Sequence, residues 1–152
     1  MGIIELLEDT GAKYELREHS PTFTAQRMAA VEHEKGIFVA KPVIVKADGS
    51  YIMCVLSANH KVNLNALKDY LGAKSVELAE EEEIAKIFDD CELGAEPPVG
   101  SLYNIPTILD QALIDDDHIL FQAATHEKTV RMKMKDYIKL ASPKVLDFAY
   151  HI

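Results

Sequence analysis

Two apolar runs joined across Asp48-Gly49 constrain this chain more than any other feature. The first is Phe38-Val39-Ala40-Lys41-Pro42-Val43-Ile44-Val45, and the second covers residues 51–56. Both are rich in β-branched or aromatic residues, which suit a pleated, half-buried surface. Asp-Gly accepts the positive φ angles of a tight two-residue turn, whose twist matches that of the strands it joins. The pattern predicts a β-hairpin.

Helical signals surround it. Ile3, Ile4, Leu6 and Leu7 form one face of a short amphipathic helix that ends at Gly11. Residues 14–18 alternate as a strand does, and Thr24 is an N-cap for a helix running to residue 31. Asn63 caps a helix that Gly72 stops. A further helix spans 80–88, its four consecutive glutamates suiting the positive N-terminal dipole. Short strands are expected over 105–109, 119–122 and 129–132, then a helix over 135–140 with Pro143 beyond it. Strands interspersed with helices and one hairpin give an α/β (α+β) class, a mixed sheet surrounded by helices. With no internal repeat, linker or low-complexity segment, residues 1–152 read as one domain.

Composition narrows the setting. No apolar run approaches membrane-spanning length, and the N-terminus lacks the basic start of a secretory signal. Leu6 stands where a myristoylation motif wants Ser or Thr. Cys54 and Cys91 are too few for a disulfide framework, so a reducing cytoplasm is expected. The net charge of −9 is uneven: residues 77–127 hold one basic against fourteen acidic side chains, and residues 128–152 hold six against two. Phosphate contact would therefore fall to Lys128, Arg131, Lys133, Lys135, Lys139 and the lysines around Lys41.

Three places carry candidate chemistry. Lys41 interrupts an otherwise apolar strand, and lysine is rarely buried alone. It either lines a cavity or snorkels to an edge. Lys46, of opposite parity, is expected as a solvated charge. The loop Gly94-Ala95-Glu96-Pro97-Pro98-Val99-Gly100 is stiffened by prolines and left bare by glycines. It is either a rigid connection between strands or a frame that offers its N–H groups to a ligand, with Glu96 facing solvent. His126 either orients water or is structural. The remaining histidines show no metal-type pairing with one another or with cysteine, so no metal site is expected.

Four segments together resemble the YbaK/EbsC family, the domain associated with prolyl-tRNA synthetase that hydrolyses mischarged aminoacyl-tRNA. They are Ser20-Pro21-Thr22-Phe23-Thr24-Ala25-Gln26, Ala40-Lys41-Pro42-Val43-Ile44-Val45-Lys46-Ala47-Asp48-Gly49, the loop at 94–100, and Ala124-Thr125-His126-Glu127-Lys128-Thr129-Val130-Arg131-Met132. The resemblance implies a curved, barrel-like mixed sheet with its site in a cleft. It implies that Lys41 and the Gly94-to-Pro98 pattern flank that site. Better-known members read Gly-Gly-x-Ser-Pro where this chain has Ala95 and Pro97, and Gly where it has Ala124.

The function so implied is a trans-editing deacylase for tRNA mischarged with a small amino acid, working without cofactor or metal. An aminoacyl ester is already activated, so a placed water, a cation and N–H donors for the oxyanion suffice. Lys41, Gly94 and Ala95 would be catalytic, with Pro98, Gly100, Thr125 and His126 on the substrate. The partners would be the 3′ end of the mischarged tRNA and a synthetase, with no membrane and no DNA. The competing readings are a non-catalytic tRNA- or synthetase-binding module of the same fold, and a thiol hydrolase using Cys91.

Overall fold

A computed structural model describes residues 1–18, 20, 27 and 39–151. Except for Arg27, which is helical, the helix expected over 24–31 lies outside the described residues, as does the Pro21–Gln26 part of the first family segment. Elsewhere the elements run α1 (Ile3–Thr10), β1 (Glu15–Glu18), β2 (Ala40–Ala47), β3 (Ser50–Ser57) and β4 (His60–Val62). They continue with α2 (Leu64–Leu71), β5 (Val76–Leu78), α3 (Glu81–Ile87), β6 (Thr107–Asp110) and β7 (His118–Gln122). The chain ends through β8 (Lys128–Lys133), α4 (Met134–Ala141), β9 (Lys144–Leu146) and β10 (Ala149–His151).

The hairpin forms as its sequence dictates. β2 and β3 pair antiparallel from Ala40 opposite Ser57 to Ala47 opposite Ser50. Asp48 and Gly49 turn between them with φ of 48° and 86°. The Asp48 carboxylate accepts N–H groups of Lys74 and Ser75, tying the turn to the approach to β5.

Around the hairpin lies a five-stranded sheet in the order β5-β2-β3-β6-β9, antiparallel on the β5 side and parallel from β3 to β9. Both faces are covered. Ala40, Ile44, Met53, Val55 and Leu109 face a core shared with Leu7, Phe88, Phe121 and Tyr137. Val45, Ile52, Cys54, Leu56 and Ile108 face a second core with Leu67 and Phe148. A strand buried on both faces reads as a continuous apolar run, which is why β3 shows no polar alternation.

A second, antiparallel sheet has the order β1-β8-β7, and β4 pairs with β10 as a two-stranded ribbon. Val39 bridges in parallel to Leu120 and so joins the entrance of β2 to β7. The class is the mixed α/β one expected, but the sheets do not close: among the described residues there are three separate sheets and no closed barrel.

Candidate active site

The loop at 94–100 joins α3 to β6, not two strands as its composition suggested. Gly94 takes φ of 88°, which L-residues rarely adopt. A Cβ there would stand 3.4 Å from His126 Cε1. Pro97 and Pro98 are buried, and Tyr137 of α4 donates its hydroxyl to Pro98 O at 2.6 Å. Gly100 is required by packing: an added Cβ would meet Ile105 O at 2.5 Å and Thr107 Oγ1 at 2.6 Å.

The same loop is sewn to the segment after β7. Ala124 N–H donates to Ala95 O at 2.9 Å, and Glu92 N–H donates to Ala124 O at 2.8 Å. His126 N–H donates to Glu92 Oε1 at 2.9 Å, and its Nε2 lies 2.7 Å from Leu93 O. A carbonyl only accepts, so Nε2 carries the proton. Thr125 follows Ala124 here, its Oγ1 accepting Glu127 N–H at 3.3 Å. Gly94, Ala95, Ala124, Thr125 and His126, far apart in sequence, therefore form one corner.

Residues 19–140 match the family described as aminoacyl-tRNA editing domain. The chain belongs to that family. Over 151 residues it is 24% identical to the Multifunctional Ser/Thr-tRNA deacylase ProXp-y of Escherichia coli (strain K12), covering 96% of this chain and 90% of that protein. It is 37% identical over 79 residues to the Proline--tRNA ligase of Staphylococcus aureus (strain Newman), a stretch that is 52% of this chain and 13% of the ligase. A crystal structure of a hypothetical protein superposes with a TM-score of 0.89 at 21% identity, covering 97% of this chain and 99% of that one. Another, described as a candidate trans-editing enzyme for prolyl tRNA synthetase, superposes with a TM-score of 0.82 at 21% identity, covering 97% and 94%.

In this editing domain Lys41 takes no part in the hydrogen bonds of the loop corner among the described residues. Its Nζ donates to Ala58 O at 3.3 Å, and among the described residues no side-chain hydrogen bond joins it to the loop. Burial lowers its pKa, and the nearby charge of Lys61 lowers it further. Strand parity puts Lys41 with Val43 and Val45, on the face of the second core. β7 links the two places: Leu120 bridges to Val39 just before β2, and the segment after β7 brings Ala124 to Ala95. Lys46 is not a freely solvated charge: it pairs with Glu83 and lies 5.6 Å from the Tyr51 ring centroid.

The loop departs from expectation in its donors. Gly94 N–H is held by Glu96 Oε2 at 2.7 Å, and Ala95 N–H by Glu92 O at 3.0 Å. Val99 N–H bonds Pro97 O, Gly100 N–H bonds Thr107 Oγ1, and the prolines have none. Glu96 itself, expected in solvent, is only 7% exposed. Burial raises its pKa against the pull of the Gly94, Glu96 and Ala95 N–H groups and of His126. Sequence reasoning missed Glu96, Glu92 and Tyr137. The available signal was that Glu96 is the one charged residue in an otherwise apolar loop, two positions from a glycine onto which it can fold back.

Neither thiol is poised as a nucleophile. Burial pushes Cys54 up to about 12, and burial with the Asp90 contact pushes Cys91 to about 12 as well. Among the described residues no group of three or more His, Cys, Asp or Glu side chains could hold a metal ion.

Proposed function

We propose that this protein hydrolyses the ester of tRNA mischarged with a small amino acid, acting as one domain without metal or cofactor. The observation that carries the reading is the corner where Gly94 faces His126 and Ala95 bonds Ala124, in a chain that matches the editing family over residues 19–140. The named relatives, a Ser/Thr-tRNA deacylase and a proline–tRNA ligase, support the substrate class and suggest a synthetase as second partner. Such editing is needed because apolar synthetase pockets separate similar small side chains poorly.

Lys41 supplies the cation. Among the described residues its half-buried ammonium bonds only the Ala58 carbonyl, which leaves its charge available to the tRNA 3′ end or the substrate carbonyl. Two loop N–H groups are held by side chains; that of Gly100 is buried, whereas Gly94 is exposed. Gly94 N–H is therefore the donor that can pass to a developing oxyanion when the Glu96 carboxylate moves away. A cavity of about 160 Å³, lined by Glu96 with Ile84, Phe88, Cys91 and Leu93, gives that carboxylate somewhere to go. Ala95 acts by fixing the turn, its N–H and C=O both committed to the main chain. Pro98 and Gly100 shape the loop from behind, while Thr125 and His126 border the substrate side.

A panel of tRNAs mischarged with alanine, serine, threonine and other small residues tests the reading directly. Release of at least one amino acid, lost in Lys41→Ala, is expected. The engaged loop donors favour a second reading, a non-catalytic tRNA- or synthetase-binding module. Binding of charged tRNA with no hydrolysis anywhere in the panel selects it.

A further inference from the structure

The protein is acidic overall, yet one groove is basic. It opens between the turn after α1 and the outer face of α4, with a volume of about 490 Å³. Lys13 stands on one wall and Lys133, Lys135 and Lys139 on the other, against Asp136 as the single acidic lining residue. Ala12 and Leu140 supply apolar lining. All four lysines are exposed, and among the described residues none makes an ion pair. Lys135 and Lys139 sit four apart on α4, where like charges are neighbours and destabilise the helix slightly. Asp136, three residues before Lys139, offsets part of that repulsion, and a polyanion laid along the groove would offset the rest.

The groove is tied to the site by one helix. α4 presents Lys135 and Lys139 outward while its buried Tyr137 holds Pro98 O in the catalytic loop. An α-helix with its side chains is about 10–12 Å across, so the groove and the loop lie a helix width apart. On its far side the groove is bounded by Asp115, Asp116 and Asp117, which share Lys133 and Lys135 with it. That acidic border repels phosphate and leaves the Lys13–Lys139 side as the path for a nucleic-acid strand. Arg131, grouped with Lys133 and Lys135 on sequence grounds, lies opposite Glu15 in the sheet and does not line the groove.

We infer that this groove holds the phosphate backbone of the acceptor stem of the charged tRNA, so that the single-stranded 3′ end reaches the loop at 94–100. The inference rests on the deacylase reading but concerns binding of the tRNA body, not the chemistry. Phosphate contacts by lysine release counterions, so each contributes a slope of about −0.7 to −0.9 in log affinity against log salt.

The test compares wild type with Lys13→Gln/Lys135→Gln/Lys139→Gln, and with Lys74→Gln as an exposed lysine outside the groove. Binding of a mischarged tRNA and of its acceptor minihelix is measured across a salt series, alongside KM and kcat. The triple variant is expected to bind both RNAs on the order of tenfold more weakly, with a salt slope shallower by about 2. KM should rise in step, and the loss should vanish with an aminoacylated nucleoside that has no stem. Wild-type affinity and slope in the triple variant would overturn the groove, whether or not it then fails to bind a synthetase. Absence of hydrolysis by wild type would sink the deacylase reading instead, and the binding series would still decide the groove.

Discussion

The Glu96 carboxylate accepts the N–H of Gly94 at 2.7 Å, closing a ring two residues wide in a loop whose glycine sits at φ of 88°. A buried acidic side chain thus occupies the donor that the proposed reaction needs. Two predictions separate its roles. Gly94→Ala strains the positive φ and presses a methyl against His126, so deacylation should fall on the order of 10²–10³-fold, the cost of losing one oxyanion donor. Glu96→Ala frees the donor but loosens the turn, so it should lower stability by about 1–3 kcal/mol, as for a deleted buried hydrogen-bonding group. Rates on one mischarged tRNA, with urea unfolding of each variant, check both. A Glu96→Ala variant with unchanged stability would show that the carboxylate does not hold the loop.

The raised pKa of Glu96 gives a pH signature. Its folded state takes up a proton more readily than its unfolded state, so its contribution is favourable when protonated. That contribution is lost as pH rises from the ordinary glutamate range through the raised folded value. Glu96→Gln should flatten this part of the stability profile, as measured by urea midpoints from pH 4 to 8, whereas an unchanged profile would assign it to other groups.

Lys41→Ala should abolish deacylation while leaving the fold intact, and Lys46→Ala should be mild. Because burial and Lys61 lower the Lys41 pKa, its charge is lost at a lower pH than an ordinary lysine's. Activity should therefore fall on the alkaline side earlier than free lysine predicts. Near-wild-type turnover by folded Lys41→Ala would remove it from the site.

Ala124 holds φ of 73° where better-known relatives of the resembled family carry glycine. The left-handed region costs an L-residue roughly 1–2 kcal/mol. Ala124→Gly should raise the unfolding free energy by about 1 kcal/mol, read from the urea midpoint at constant slope. Its main-chain bonds to Ala95 and Glu92 should survive, so turnover should change little.

Tyr137→Phe removes the hydroxyl that donates to Pro98 O and leaves that buried carbonyl without this partner. A loss of about 1–3 kcal/mol is expected. If the helix also positions the loop, kcat should drop with it; an effect on stability alone would make Tyr137 a packing residue only.

Local chemistry was enough to specify several elements. Asp48-Gly49 set the hairpin, Asn63 and Gly72 bracketed α2, and α1 ended at Gly11, because turns and caps depend on residues a few positions apart. The short strands β4, β5, β9 and β10 left no such mark: each has three residues and forms only because a partner already present supplies its hydrogen bonds. Lys41 and the loop at 94–100 were legible as unusual residues in apolar company. What they contact was not. Loop N–H groups look available in a sequence, and only the tertiary structure commits them: Gly94 to Glu96, Ala95 to Glu92, Gly100 to Thr107. Burial of Glu96 likewise follows from the packing of α3 and of the segment after β7 around the loop, a long-range outcome that no local pattern encodes.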